Sequence, residues 1–330
     1  MTNALLIGIV AGLGAALLFA AAATGVAPLR AAVAFVTSLP IAVAGLGWGY
    51  RAAAAAAFAG AAALANAVSP GFAVAFLATQ ALPMVLVSYL AGLSRAAPDG
   101  SVEWYPVGRI VIWTAIVAAA LTLGVLLFMG PDMGAIKTAI RGFVETFAQK
   151  QFPELSGGKT LSAKEIDDLS EVALVLLPAV MAISVMGTVL LNAWLGGRIV
   201  KAAGVLDRVL GRPWPDLAAL AYPRGVPLMF AITTAATFLD GLPGLAASAL
   251  FGALFLAYVL AGLAVIHHVT RGHPWRAFAL WGIYGGLVVF NTLASLLIAI
   301  LGLADAIRPL RQSPPPGSRP PGRADPPSGT

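Results

Sequence analysis

The sequence predicts an all-α polytopic integral membrane bundle of eight or nine transmembrane helices, on three observations. Of 330 residues, 59% are hydrophobic and 10% charged, against roughly 25% charged in an ordinary soluble domain. Mean hydropathy is +0.89. Nine stretches lack Asp, Glu, Lys and Arg, most of them near the roughly 20 residues that a bilayer-spanning helix needs.

Taken in order, the stretches run from Asn3 to Ala23, Ala31 to Tyr50, Ala52 to Val68 and Phe72 to Leu93, so four lie within the first hundred residues. Ile110 to Met129 and Val172 to Leu195 follow, then Val226 to Leu239, Leu245 to Val265 and Ala277 to Leu303. Val226 to Leu239 is short enough to be re-entrant, which would make the count eight, whereas Ala277 to Leu303 is long enough to tilt. Ala20-Ala21-Ala22 has the small residues of a signal-peptide cleavage site, but no Lys or Arg precedes Arg30, so a retained first helix is predicted.

Cytoplasmic connections are enriched in Lys and Arg. The link over 196–224 carries Arg198, Lys201, Arg208, Arg212 and Arg224 against Asp207 and Asp216, net +3, and is predicted inside. The segment over 132–171 is net −2 and is predicted outside. Counting back puts the N-terminus, Arg51, Arg95 and Arg109 on the cytoplasmic side of the membrane, with Arg30 alone on the other side. Counting forward, nine spans place the basic tail outside and eight place it inside.

These boundaries divide the chain into a five-helix region (1–130), an extracytoplasmic helical insertion (131–171), a second membrane region containing the link (172–311) and a tail (312–330). In the insertion, Met133, Ile136, Ile140, Phe143 and Phe147 recur at helical steps, which predicts an amphipathic helix on the membrane surface. Ser162 and Glu165 form a capping-box pattern that starts a helix running into the sixth span, and Pro153 to Thr160 reads as the turn between. The tail is dense in Pro, Gly, Ser and Arg and cannot bury a core.

With no cysteine and three histidines, the chain has no basis for a disulfide framework, iron–sulfur cluster, cysteine zinc site or thiol nucleophile, and neither a metal nor a cofactor is expected. No phosphate loop, HExxH motif or pair of acids within a span occurs, so no enzymatic activity is expected. The +6 charge lies in connections and tail rather than on a folded basic face, which argues for membrane orientation and against nucleic acid. The expected surroundings are membrane lipids.

Polar residues at membrane depth mark candidate sites. Asn66, Gln80, Asn192 and Asn291 are the amides, read as interhelical hydrogen bonds or as liners of a small-molecule site. Asp240, in Asp240-Gly241-Leu242-Pro243, is read as a turn residue or as a coupling carboxylate facing a cavity. His267, His268 and Arg271 end the eighth span and suit anchoring, or contact with an anionic headgroup. The small residues Ala11, Ala15, Ala16 and Ala20 suit close helix packing.

Five patches carry a resemblance: Ser38-Leu39-Pro40 with Gly49-Tyr50-Arg51; Ala81-Leu82-Pro83 through Gly92; Leu191-Asn192 with Arg198; Gly262-Leu263-Ala264-Val265-Ile266 with Arg271; and Gly302-Leu303-Ala304-Asp305 with Arg308 and Arg311. Together they resemble the YybS-like family of bacterial polytopic membrane proteins, a domain of unknown function. Its N-terminal half is distantly similar to the substrate-binding S components of energy-coupling-factor transporters. That likeness implies a small-molecule-binding or transport-related subunit partnered by ATPase and coupling membrane subunits, with Ala11, Ala15, Ala16 and Ala20 as a docking stripe. The rival expectation is a non-transporting scaffold or regulator that recruits cytoplasmic or envelope partners through the link and tail.

Overall fold

The computed structural model describes residues 2–24, 27–130, 132–150, 161–205 and 212–311. The predicted turn at Pro153 to Thr160 and the tail over 312–330 lie outside the described residues. The described chain is almost entirely helical, with one two-stranded hairpin.

α1 (Thr2–Thr24) runs along α4 (Tyr50–Ala67) because both present small residues to each other. A Cβ on Gly8 would strike the Ala52 carbonyl, and one on Gly12 the Ala56 carbonyl, so the two helices are parallel and in backbone contact. Between them, the predicted single span from Ala31 to Tyr50 is two half-helices, α2 (Ala27–Val36) and α3 (Leu39–Trp48), separated at Thr37 and Ser38. The cause is Pro40, which has no N–H for the carbonyl of Val36 and whose ring would clash with it. Gly49, at φ +89°, then turns the chain from α3 into α4.

The fourth apolar stretch is continuous but not regular. Ser69 caps α5 (Pro70–Phe76) by accepting the Phe72 N–H, a π turn follows over Leu77–Ala81, and α6 (Leu82–Gly92) completes it. Pro83 cannot donate to Thr79, and the widened turn absorbs that loss. β1 (Ser94–Ala96) and β2 (Val102–Trp104) form an antiparallel hairpin fastened by Arg95 and Glu103 at 2.7 Å. It leads into α7 (Val107–Met129).

α8 (Met133–Lys150) is the predicted amphipathic helix, yet it does not rest free on a surface. Ile136, Ile140 and Val144 are buried in a small core with Leu126 and Leu245, and Arg141 reaches Asp167 at 2.9 Å. α9 (Ala163–Ala202), 40 residues long, starts at the capping box of Ser162 and Glu165 and contains Pro178. α10 (Val226–Ala236) has 11 residues and covers only about 16 Å. α11 (Leu242–Val269) is the most buried of the long helices. The predicted ninth span is again two pieces, α12 (Arg276–Val289) and α13 (Asn291–Ile307), broken at Phe290.

Among the described residues, five segments are long and apolar enough to cross a membrane: Asn3–Ala23, Pro70–Gly92, Val107–Met129, Ala163–Ala202 and Leu242–Val269. Two large cores hold the bundle. The first joins α1, α3, α4, α5 and α6, and the second joins α7, α9, α10, α11 and α13. α7 thus shares its core mainly with the C-terminal helices, through Val111, Ile112, Ala115, Ala118 and Ala119.

Helix registers fix which ends lie together. Gly196 of α9 abuts Ala42 of α3 and Val200 abuts Gly47, so those two are parallel, whereas Gly262 meets Ile298 and Gly302 meets Tyr258, so α11 and α13 are antiparallel. One end of the bundle therefore gathers the N-terminus, Arg51, the hairpin and the C-termini of α9 and α11. The opposite end carries α8 and the start of α11.

Candidate functional site: a helix break held by Asn192

The α2–α3 break sits about 15 Å from the Trp48 end of α3, a distance equal to half of a bilayer's roughly 30 Å hydrocarbon core. Interrupted backbone at that depth must be satisfied by protein. Asn192 does so: its Nδ2 donates to the Phe35 carbonyl at 2.7 Å and to the Thr188 carbonyl of its own helix at 2.8 Å. Thr37 Oγ1 donates to the Val33 carbonyl at 3.0 Å. Thr37, Ser38 and Asn192 are all at most 1% exposed. Two carbonyl acceptors fix the amide orientation of Asn192, so its Oδ1 faces away from both, and that atom and Ser38 Oγ are buried without a hydrogen-bond partner.

The neighbouring helices meet at this level. Gly196 against Ala42 puts Asn192 beside Ser38 one turn earlier on both helices. α6 runs parallel to α3, with Ser88 Oγ against Gly45. Two turns back, that register brings the π turn to the level of the break, with Gln80, whose Oε1 is likewise buried and unpartnered.

The other amides lie elsewhere. Asn66 is exposed and donates to Ala62 on its own helix at 2.8 Å. Asn291 is exposed at the start of α13. Asp240 is exposed in the turn before Gly241, at the α8 end. A hollow of about 560 Å³ forms an apolar groove between α1 and α3, bounded by Leu6, Val10, Pro40, Val43, Trp48 and Ile199. Of the α1 stripe, Ala15 and Ala16 are buried within the chain, and Ala11 and Ala20 are half-buried against the same core.

The basic groups at the other end are largely engaged inside the chain. Arg271 forms a bidentate pair with Asp216 at 2.9 and 3.1 Å, which holds the Asp216 carboxyl below the usual aspartate range. His267 contacts the Tyr284 hydroxyl at 2.9 Å and Arg276 at 3.3 Å, while His268 is half-buried. Two arginines act as clamps that composition does not reveal. Arg212 donates to the carbonyls of Ala91 and Tyr105. Arg311 pairs with the buried Asp305 at 2.5 Å and donates to the carbonyls of Ala218 and Leu220 at 2.7 Å each. All five resemblance patches thus contribute to the break or to a lock: Pro40 breaks the helix, Pro83 makes the π turn, Asn192 caps the break, and Arg271, Asp305 and Arg311 fasten the link.

No curated protein and no solved structure matches the chain. A family model covers residues 14–306, nearly all of the described bundle, and the YybS-like resemblance is consistent with it; the chain belongs to the family described as "Predicted membrane protein (DUF2232)".

Proposed function

We propose that the chain is a small-molecule-binding, transport-related subunit of the bacterial cytoplasmic membrane, with its N-terminus inside. The observation that carries this reading is the helix interrupted at mid-membrane beside a π turn. Non-helical backbone is costly at that depth and recurs in transporters where solutes or ions bind. The distant likeness to S components supports the same reading and supplies the partners, an ATPase and a coupling membrane subunit. The exposed outer face of α1, with Leu6, Val10, Leu13 and Leu17, offers them lipid-facing surface. The basic end of the bundle corresponds to the cytoplasm under the positive-inside rule. No enzymatic step belongs to this reading.

The rival reading, a non-transporting scaffold or regulator, is favoured by one observation: Asn66 and Asn291 are exposed, away from Asn192. Gentle purification from native membrane, followed by native mass spectrometry, separates the two. A retained metabolite, or stoichiometric ATPase and coupling subunits, is the expected result. An empty chain accompanied by envelope or cytoplasmic regulatory proteins makes the scaffold reading primary.

A further inference from the structure

We infer that the α2–α3 break is a binding site for a desolvated monovalent cation, with Ser38 Oγ and Asn192 Oδ1 among its oxygen ligands and Gln80 at the same level. The buried polar atoms left unpartnered at the break itself are oxygens, Ser38 Oγ and Asn192 Oδ1, the latter fixed as oxygen by the two bonds of its Nδ2. Asn192 has no donor to spare, because both N–H groups are spent on the Phe35 and Thr188 carbonyls. An anion would need several donors, whereas the Ser38 hydroxyl supplies one O–H and the first turn of α3 has lost one of its N–H groups to Pro40. A cation needs acceptors, and besides these oxygens the C-terminal end of α2 presents its carbonyls, with the negative pole of that half-helix, to the same point.

Charge follows from the ligand set. Every named oxygen is neutral, and no Asp or Glu lies in α2, α3, the π turn or the membrane half of α9 around Asn192. Neutral oxygens cannot offset the cost of bringing a divalent ion to mid-bilayer, but they can replace the water shell of a singly charged one. Ser38 is fully buried while Pro40 and Leu39 line the apolar groove, so the bound ion would be screened from lipid by the first turn of α3.

The inference deepens the transport reading by supplying a coupling ion, but its test reads ion binding alone. Full-length protein in nanodiscs is assayed for saturable ²²Na⁺ binding, with competition by KCl and by choline chloride at equal ionic strength. Binding displaced by Na⁺ or K⁺ but not by choline is expected, and the preferred competitor identifies the ion. Ser38→Ala removes one unpartnered hydroxyl and no hydrogen bond of the fold, so it should leave helicity and gel-filtration behaviour unchanged and weaken binding by roughly tenfold or more. Asn192→Leu should abolish binding, but it also removes the cap on Phe35, so Ser38→Ala is the deciding variant. Absence of binding above the choline control, or wild-type affinity in a folded Ser38→Ala protein, overturns the inference. A retained metabolite without cation binding overturns this site and leaves the proposed function standing.

Discussion

Asn192 and Asn66 are both membrane-depth amides in the sequence, and the structure gives them opposite energetic weight. Asn192→Leu leaves the Phe35 carbonyl without its donor in a buried site, which should cost about 1–3 kcal/mol. Asn66→Leu removes only an exposed bond to its own helix and should stay within about 0.5 kcal/mol. Thermal unfolding in detergent compares the two. Arg311 gives a sharper contrast: a chain ending at Arg311 should melt like the full chain, whereas Arg311→Ala strands the buried Asp305 and should cost about 3–5 kcal/mol. The acid limb of stability has a named contributor in Asp216. Because Arg271 holds its pKa below the usual value, the pair stabilises the fold at any pH above about 3.9, the unfolded aspartate value, and that contribution is lost as pH falls through the folded pKa. Melting from about pH 6 down to about pH 3 should therefore show a steeper drop in wild type than in Asp216→Asn. None of these partnerships was readable from residue type, since Asn192 and Phe35 lie 157 positions apart and Arg311 and Ala218 93.

At the scale of elements, the apolar stretches located helices and concealed their interruptions. Pro40 and Pro83 are plain in the sequence, and each removes one backbone donor. One opens a two-residue gap and the other a π turn, because the outcome depends on whether neighbours such as Asn192 can satisfy the freed carbonyls. Phe290 carries no comparable signal, so the break between α12 and α13 was not legible. The four-residue spacing of small residues did point to close packing, but the stripe from Ala11 to Ala20 turns partly toward this chain's own α4 and core. Gly12→Ala should drive a methyl group into the Ala56 carbonyl and destabilise by about 1–3 kcal/mol. Gly124→Ala, with nothing nearby to meet, should be neutral or stabilising by up to about 1 kcal/mol. Chemical unfolding of the two variants beside wild type measures the difference.

For the molecule as a whole, the charge pattern foresaw which connections share an end, and the registers of α1 with α4 and of α3 with α9 agree with it. In the sequence, the side on which the tail lies depends on whether Val226 to Leu239 is re-entrant. The structure moves the question to the last segment. In register with α11, α13 ends level with about Ala253, roughly 16 Å short of the start of α11, and Arg311 is then bonded to the link. Single cysteines at Ser101 and Arg308 should therefore behave alike toward an impermeant thiol reagent in intact cells, and a cysteine at Asp168 should behave oppositely. Labelling of Arg308→Cys together with Asp168→Cys would require α13 to cross the membrane.

The Arg311 clamp also orders events in time. The first core draws almost wholly on residues before Arg109, and its helices can settle against one another while the rest of the chain is still being made. The link cannot be fastened at Ala218 and Leu220 until the last described residue has arrived. A chain terminated before Arg311 would thus present a membrane bundle with an open seam at its basic end.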